Sequence, residues 1–201
     1  MNKIKRALIS VSNKKNLKPL LKILRKFKIE IISSGGTYKK IKNLGFDCIE
    51  VSNFTEFPEI LEGRVKTLHP KIHAGILYKR KNKKHLKNIK EYNLNTIDLV
   101  IVNFYPFEKV IQNTSNHEKI IENIDIGGPT IVRAAAKNYN DVTVITSINQ
   151  YDELLNQLNK NKGSTTLEFR KKLSLNAYSE TAYYDSLIAN YFNKISNNYF
   201  P

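Results

Sequence analysis

Small polar residues and a glycine pair follow two apolar segments that are typical of short buried strands. These residues are Ser12, Asn13 and Lys14 after the first segment, and Ser34, Gly35, Gly36 and Thr37 after the second. A glycine pair lets backbone N–H groups approach an anion, and the N-terminus of a following helix adds positive potential. In a parallel sheet the carboxyl ends of the strands meet at one edge, where ligands bind. Either segment alone is compatible with an ordinary turn, but together they predict a phosphate-binding site.

Two lysines far apart in the chain are candidates for proton transfer. Lys66 lies in the loop from Arg64 to Pro70, and Lys137 follows the small residues Ala134–Ala136. Long ordered loops are usually functional, although most of the 27 lysines must simply lie on the surface. Lys137 also ends a predicted helix, where a cation stabilises the helix dipole without doing chemistry. Asp125, shortly before that helix, also has two possible roles. It could cap the helix, or it could take part in catalysis.

Metal and thiol chemistry find little support in the sequence. His69 and His73 are four residues apart, but no third ligand and no helical pattern accompany them, so no metal site is predicted. Cys48 is the only cysteine of the chain, which excludes a disulfide framework and a thiolate cluster. A reducing cytoplasm is therefore the expected location.

Alternating strands and helices are predicted to position the candidate residues. Short runs rich in branched apolar residues predict strands over 7–12, 30–34, 48–51, 99–103 and 141–146. Helical spacing predicts helices over 17–27, up to Gly45, over 83–92, near 118–122 and over 129–137, with Asn16 capping the first and Pro129 in the first turn of the last. The stretch 54–77 shows no regular period. This alternation predicts an α/β protein with parallel strands and right-handed crossovers.

The part of the chain after the last predicted strand is predicted to be helical. Phe169, Leu173 and Tyr191 are among the residues expected to pack there, on one or two helices. We therefore predict one domain over 1–147 and a helical extension over 148–201. The polar and aromatic segment Asn193–Pro201 is typical of a domain boundary.

The strong positive charge does not by itself predict a nucleic-acid partner. The net charge is +15, but 27 of the 33 basic residues are lysine, and lysine, asparagine and isoleucine share A/T-rich codons. The densest basic run, 79–87, lacks interleaved aromatic residues and is predicted to be a solvated helix face. No segment approaches the roughly 20 apolar residues of a membrane-spanning helix, and the apolar run near the N-terminus is too short for a secretory signal. The positive field should instead attract a small phosphorylated anion.

Five blocks of the sequence carry a resemblance to a known family. They are Ser10–Lys14, Ser33–Thr37, Gly63–Leu77, Asn103–Phe107 and Ile124–Asn138. In this order they resemble the inosine monophosphate cyclohydrolase domain of the bifunctional purine biosynthesis proteins, and the two longest blocks are highly specific. The resemblance implies a methylglyoxal-synthase-like fold, which is a twisted parallel sheet with flanking helices, here followed by a C-terminal helical extension.

The resemblance implies a dehydrative ring closure without a cofactor. The carboxamide nitrogen of a formylated aminoimidazole carboxamide ribotide attacks the neighbouring formamide carbon, and water leaves to give inosine monophosphate. This reaction needs a folded substrate pose, a stabilised oxyanion and proton transfer. By resemblance, Lys137 is the main proton donor or acceptor and Lys66 is its charged neighbour at the formyl oxygen. Tyr105 and Asp125 complete the catalytic set, and both lysines are expected to meet over one bound ribotide.

The resemblance also implies the nucleotide contacts. The segments Ser12–Lys14 and Ser34–Thr37 correspond to the ribose-phosphate site, and Arg64 and Thr67 correspond to loop contacts. The residues expected to line the base through backbone groups are Val102, Asn103, Ile126, Gly127 and Gly128. Two departures from the family pattern, Asn13 and Phe104, do not involve the predicted proton-transfer groups.

Further expectations concern partners and cofactors. Full-length family members carry a second domain, a formyl-folate-dependent formyltransferase, which would begin near Pro201. They form homodimers, so a homodimer is expected of the full-length form, with a small ribonucleotide as the substrate. Formyl-folate would serve only the second domain.

Three other functions compete with this interpretation. A methylglyoxal synthase would use catalytic Asp and His residues near the phosphate loop and would leave the lysine pair without a role. A nucleotide-sensing regulatory module would keep Ser34–Thr37 but would not need both long blocks. A basic nucleic-acid binder would rest on charge alone.

Overall fold

Five parallel strands form the central sheet of the computed structural model, which describes residues 3–196. The strands are β1 (Arg6–Val11), β2 (Glu30–Ser33), β3 (Ile49–Glu50), β4 (Leu99–Asn103) and β5 (Thr143–Ile145). Their order is β3-β2-β1-β4-β5, and every neighbouring pair is parallel. We call the edge where the strands finish (Val11, Ser33, Glu50, Asn103, Ile145) the strand-end edge and the opposite edge the strand-start edge. The predicted parallel α/β fold is confirmed, with all five strands in the predicted places.

Ten α-helices flank the sheet within the described residues. They are α1 (Leu17–Lys26), α2 (Gly35–Asn43), α3 (Val51–Thr55), α4 (Pro70–Leu77), α5 (Lys83–Glu91), α6 (Phe107–Asn113), α7 (His117–Glu122), α8 (Gly127–Lys137), α9 (Tyr151–Lys160) and α10 (Leu167–Ser196). The sequence pattern missed α3, α4 and α6, since one or two turns hold too few apolar residues to reveal a period. The predicted cap of α1 is wrong in detail: Asn16 adopts a left-handed conformation, and its side chain makes no capping hydrogen bond.

The main hydrophobic core surrounds the sheet and includes the first half of α10. Phe169, Leu173 and Ala177 of that helix are buried in the same cluster as the strands. A smaller core lies between α6, α7 and the second half of α10, centred on Phe107 and Tyr184. The predicted division at residue 147 stays a prediction, and residues 197–201 of the predicted boundary segment lie outside the described part.

The long helix α10 is not a membrane span. None of the helices within residues 3–196 is both long and apolar enough to cross a bilayer. The basic run 79–87 leads into α5, which has no buried residue, as predicted for a solvated face.

Candidate functional site

The ends of β1 and β4 are joined by one asparagine side chain. Asn103 Oδ1 accepts hydrogen bonds from Ser12 Oγ at 2.8 Å and from the Asn13 backbone N–H at 2.9 Å. Lys14 then turns back, so that its Nζ lies 3.3 Å from the Ser12 carbonyl oxygen. These contacts fix the turn after β1, which carries three of the predicted phosphate ligands.

The N-terminus of α2 lies between two lysine ammonium groups. Gly35 begins this helix with a φ of +52°, a conformation that side chains rarely adopt. A Cβ added at Gly35 would lie 3.6 Å from Lys66 Nζ, and one at Gly36 would lie 3.8 Å from Lys14 Nζ. Free helix N–H groups and two cations therefore converge, which is the arrangement that binds a phosphate. The two predicted phosphate segments are thus brought together, along with Lys66.

Thr37, predicted to contact the ligand, is engaged within the protein. Its Oγ1 accepts from the Val11 N–H and donates to the Val11 carbonyl, both at 3.0 Å, and the residue is buried. The hydroxyl extends the hydrogen bonding of β1 beyond the strand. We therefore assign this side chain a structural role, whereas Ser34 lies at the helix N-terminus without a side-chain capping bond.

Lys66 is held by a carboxylate that the sequence did not point to. Glu59 Oε1 lies 2.9 Å from Lys66 Nζ. The loop between them turns through three successive residues with positive φ, ending at Gly63 with φ +90°. A Cβ at Gly63 would lie 2.4 Å from Glu59 Oε1 and 2.9 Å from Lys66 Nζ, so a side chain there would displace the ion pair, and the positive φ itself favours glycine. No sequence motif identifies Glu59 as a partner of Lys66; it simply precedes Lys66 by seven residues.

Arg64 and Thr67, the two predicted loop contacts, face different surroundings. Arg64 forms an exposed ion pair with Glu122, which raises the pKa of the guanidinium and lowers that of the carboxyl. Thr67 is buried, and its Oγ1 would lie 2.8 Å from a Cβ at Gly127. Thr67 therefore packs the Lys66 loop against the first residue of α8.

Asp125 caps α8 and is held from a second side. Its Oδ1 accepts from the Gly128 N–H at 2.8 Å, so the capping interpretation is confirmed. Its own backbone N–H donates to Tyr184 Oη, also at 2.8 Å. Burial raises the pKa of the Asp125 carboxyl above its ordinary value. The helix begins with Gly127 and has Pro129 in its first turn, as predicted, and Ile126 is exposed.

A groove large enough for a nucleotide runs along the strand-end edge beside α10. It has a volume of about 690 Å³, within the range of small-molecule sites. Ser12, Asn13, Asn103 and the exposed Tyr105 line it. Val102 does not, because its side chain is buried in the core and only its backbone faces the neighbouring strand.

Lys137 does not join the other candidate residues within one chain. It ends α8, an 11-residue helix that spans about 15 Å. The next residue, Asn138, donates to the carbonyl oxygens of Ile76 and Tyr78 at 2.7 and 3.0 Å, and Tyr78 leads to Arg80, which binds Asp98 before β4. Lys137 is therefore exposed at the strand-start edge, and its predicted meeting with Lys66 does not occur in a single chain.

The two histidines lie around α4, which the sequence pattern did not predict. His69 Nδ1 accepts from the Lys71 N–H and caps the helix. His73 lies within the helix, and its Nε2 is buried without a hydrogen-bond partner among the described residues. Desolvation lowers the pKa of both imidazoles. No cluster of three potential metal ligands occurs in residues 3–196.

Comparisons with known proteins agree with the fold. The chain is 50% identical to the bifunctional purine biosynthesis protein PurH of Clostridioides difficile (strain 630), over 94% of this chain and 36% of that protein. It is 49% identical to the protein of the same name from Bacillus subtilis (strain 168), over 96% of this chain and 38% of that protein. The chain thus spans little more than a third of the length of these relatives.

A solved structure and two family models extend the comparison. The structure titled "Crystal structure of ForH" superposes with a TM-score of 0.82 at 29% identity, covering 94% of this chain and 99% of the other. Residues 135–201 match the family described as AICARFT/IMPCHase bienzyme. Residues 16–130, more than half of the chain, match the family described as MGS-like domain. The chain belongs to the MGS-like domain family.

Proposed function

We propose that this chain is an inosine monophosphate cyclohydrolase, which closes the purine ring of a formylated aminoimidazole carboxamide ribotide in purine biosynthesis. The observation that carries the proposal is the convergence of Lys14 and Lys66 on the N-terminus of α2, beside a groove lined by Asn103 and Tyr105. The similarity to relatives named bifunctional purine biosynthesis proteins supports it.

Binding of the ribotide begins at its phosphate. The free N–H groups of α2 and the Lys14 ammonium bind the phosphate, because a helix N-terminus and a cation both favour an anion. The ribose and base then extend along the strand-end edge toward Asn103 and the Asp125–Gly128 turn. Holding both reacting groups of one molecule in a near-attack pose supplies much of the catalysis.

The reaction requires one new bond and the loss of one oxygen. The carboxamide nitrogen attacks the formyl carbon, and the C–N bond forms as the carbonyl oxygen gains negative charge. Lys66 stabilises that charge and delivers a proton to the oxygen. The attacking nitrogen gives up one proton, and the former formamide nitrogen gives up a second as the C–O bond breaks and a C=N bond forms. One of these protons restores the Lys66 ammonium, and the other completes the water that leaves. Asp125 orients the carboxamide. Tyr105, the remaining member of the proposed catalytic set, lines the groove.

Lys137 takes part, in this proposal, from a second copy of the chain. When the two-fold axis of a dimer crosses a helix at right angles, that helix pairs antiparallel with its copy, so the C-terminus of one lies beside the N-terminus of the other. On α8, Arg133 and Lys137 are both exposed and four residues apart, so they lie on one face of the helix. A pairing of this face would bring Lys137 of one copy to Asp125 of the other. We propose a homodimer on this ground.

Turnover of the purified chain tests the proposal directly. The formylated ribotide is supplied without metal or folate, and the absorbance of the purine is followed. We expect turnover, with Lys66→Ala lowering the rate about a hundredfold, as removal of a proton-transfer or oxyanion group does. Lys83→Ala, a change on the exposed face of α5, should leave the rate unchanged. Absence of turnover by the intact chain contradicts the proposed function.

Mixing two inactive variants tests the role of Lys137. Lys66→Ala and Lys137→Ala chains are unfolded together, refolded and assayed. If Lys137 acts across a dimer, half of the random dimers are mixed and each carries one intact site, which restores about a quarter of the wild-type rate. No restoration, with both variants folded and dimeric, contradicts the two-chain site.

We also propose a cytoplasmic location and a cofactor-free reaction. The single thiol, Cys48, suits a reducing compartment, and its half-buried position raises its pKa to about 12, so it is a poor nucleophile. A folate-dependent formyl transfer would belong to a second domain, such as full-length members of the family carry.

A further inference from the structure

Tyr184 connects the helical extension to the candidate catalytic residues. It lies in the second half of α10, is only 4% exposed, and belongs to none of the sequence blocks that resemble the family. Its hydroxyl oxygen accepts the backbone N–H of Asp125 at 2.8 Å. One side chain of the extension therefore fixes the backbone at a residue that the proposed reaction uses.

The ring of Tyr184 contacts the second segment that carries a catalytic candidate. Its centroid lies 5.1 Å from that of Phe104 and 6.3 Å from that of Phe107, in tilted and edge-on geometries. These two phenylalanines flank Tyr105 in the sequence. The ring thus holds both sides of the Tyr105 turn, while its hydroxyl holds the Asp125 turn.

The Asp125 turn is also held by contacts of its own residues, and Ile124 packs in the smaller core. Asp125 Oδ1 accepts from Gly128, and Thr67 packs against Gly127. Thr67 is adjacent to Lys66, so a displacement of the Asp125 turn would be transmitted to the lysine loop. A buried carboxylate must also be held in place by defined partners, because it cannot exchange them for water.

We infer that Tyr184 is a positioning residue for the cyclohydrolase reaction, acting through the backbone of Asp125. This inference rests on the proposed function. Removing the hydroxyl leaves the Asp125 N–H without its acceptor and lets the turn relax. Small displacements of positioned groups cost rate because the near-attack pose is lost. The extension is on this view part of the catalytic domain.

Tyr184→Phe tests the inference, with Tyr183→Phe as the matched control. The first variant removes only the hydroxyl and keeps the ring contacts. Tyr183 is its neighbour and lines the same groove as Tyr184, is more than half exposed, and has its hydroxyl 3.4 Å from Glu108 Oε2 rather than at the Asp125 turn. We expect Tyr184→Phe to lower kcat about five- to tenfold, the equivalent of one hydrogen bond, with KM within about twofold. A wild-type kcat in Tyr184→Phe, or an equal loss in Tyr183→Phe, overturns the inference.

A double-mutant cycle separates positioning from a general loss of packing. If Tyr184 acts through Asp125, its substitution should cost much less in an Asp125→Asn background, since coupled residues are not additive. An undiminished loss in that background overturns the inference.

Hydrogen exchange gives a readout that does not depend on activity. The peptide containing the Asp125 amide should exchange several-fold faster in Tyr184→Phe than in the wild type or in Tyr183→Phe. Unchanged exchange overturns the inference whether or not the chain turns over. A wild type that shows no turnover counts against the proposed function alone.

Discussion

Positively charged side chains at the two edges of the sheet differ in how many hydrogen-bond acceptors surround them. At the strand-start edge two arginines have several acceptors each. Arg80 donates to the carbonyl oxygens of Tyr78 and Ile97 and to the carboxylate of Asp98, at 2.8 to 3.0 Å. Arg170 donates to the carbonyl oxygens of Tyr139, Asn140 and Thr165. Burial lowers the pKa of the Arg170 guanidinium, and these acceptors compensate for its lost water.

At the strand-end edge the cations keep capacity for a ligand. Among residues 3–196, Lys14 Nζ has one long bond, to the Ser12 carbonyl oxygen, and Lys66 Nζ has one carboxylate, Glu59. Both ammonium groups lie at the start of α2, where N–H groups also point outward. The same residue class therefore stabilises the fold at one edge and forms a candidate anion site at the other. The number of protein acceptors around each cation distinguishes the two uses.

Substitution of Arg80, at the strand-start edge, should cause the largest loss of stability. Arg80→Met removes the guanidinium from four acceptors and from the face of Tyr78, 4.1 Å away. We expect a loss of about 3 kcal/mol in the free energy of unfolding, the lower end for breaking a buried ion pair. Denaturant unfolding measures it, and the folded fraction should keep its kcat.

The control for Arg80 is an ion pair on the surface. Lys172→Met removes the partner of Glu153, where both side chains are well exposed, and should cost less than about 1 kcal/mol. Equal losses from the two variants would mean that burial and carbonyl partners do not set the value of these cations.

Substitution of Lys14, at the strand-end edge, should weaken ribotide binding and leave stability almost unchanged. Lys14→Ala removes a cation from the start of α2 without removing a reacting group. We expect KM for the ribotide to rise about tenfold, the equivalent of one charge-assisted hydrogen bond, while kcat and the unfolding midpoint change little. The steady-state kinetics of this variant and of Lys18→Ala, an exposed residue of α1, make the comparison. An unchanged KM would exclude Lys14 from the phosphate site.

The sequence predicted those parts of the molecule that depend on local pattern. Short branched apolar runs predicted all five strands, and the residues after β1 and β2 predicted an anion site. The sequence pattern did not reveal α4, where Pro70 starts a helix of only two turns, nor the pairing of Glu59 with Lys66 across a strained loop.

Contacts between residues far apart in the sequence could not be predicted in the same way. Lys137 was predicted to meet Lys66, yet α8 crosses the height of the sheet and carries Lys137 to the opposite edge. Tyr184 contacts Asp125 across 59 positions of sequence, a distance over which no local pattern has information. Neither relation follows from residue spacing alone.

Asp125 is where the capping and catalytic interpretations can be weighed in one experiment. Burial raises the pKa of its carboxyl above the ordinary value of 3.8, so the folded state favours the protonated form. The protonated Asp125 carboxyl therefore contributes its full stability below the pKa that it has in the unfolded chain. That contribution is lost as the pH rises through its higher pKa in the folded chain. At neutral pH the buried carboxylate lowers the stability of the fold.

Asp125→Asn should therefore stabilise the chain while slowing it. Asparagine keeps an Oδ1 to accept from Gly128 but carries no charge. We expect Tm to rise by roughly 2–4 °C at pH 7, about 1 kcal/mol for a chain of this size, and the gain to vanish as the pH approaches 3.8. Thermal unfolding over this pH range measures it, with Asp47→Asn on an exposed loop as the control for loss of charge. A gain independent of pH, or none, would mean that Asp125 only caps α8, whereas a pH-dependent gain together with a lower kcat would mean that the fold tolerates a costly charge because the reaction requires it.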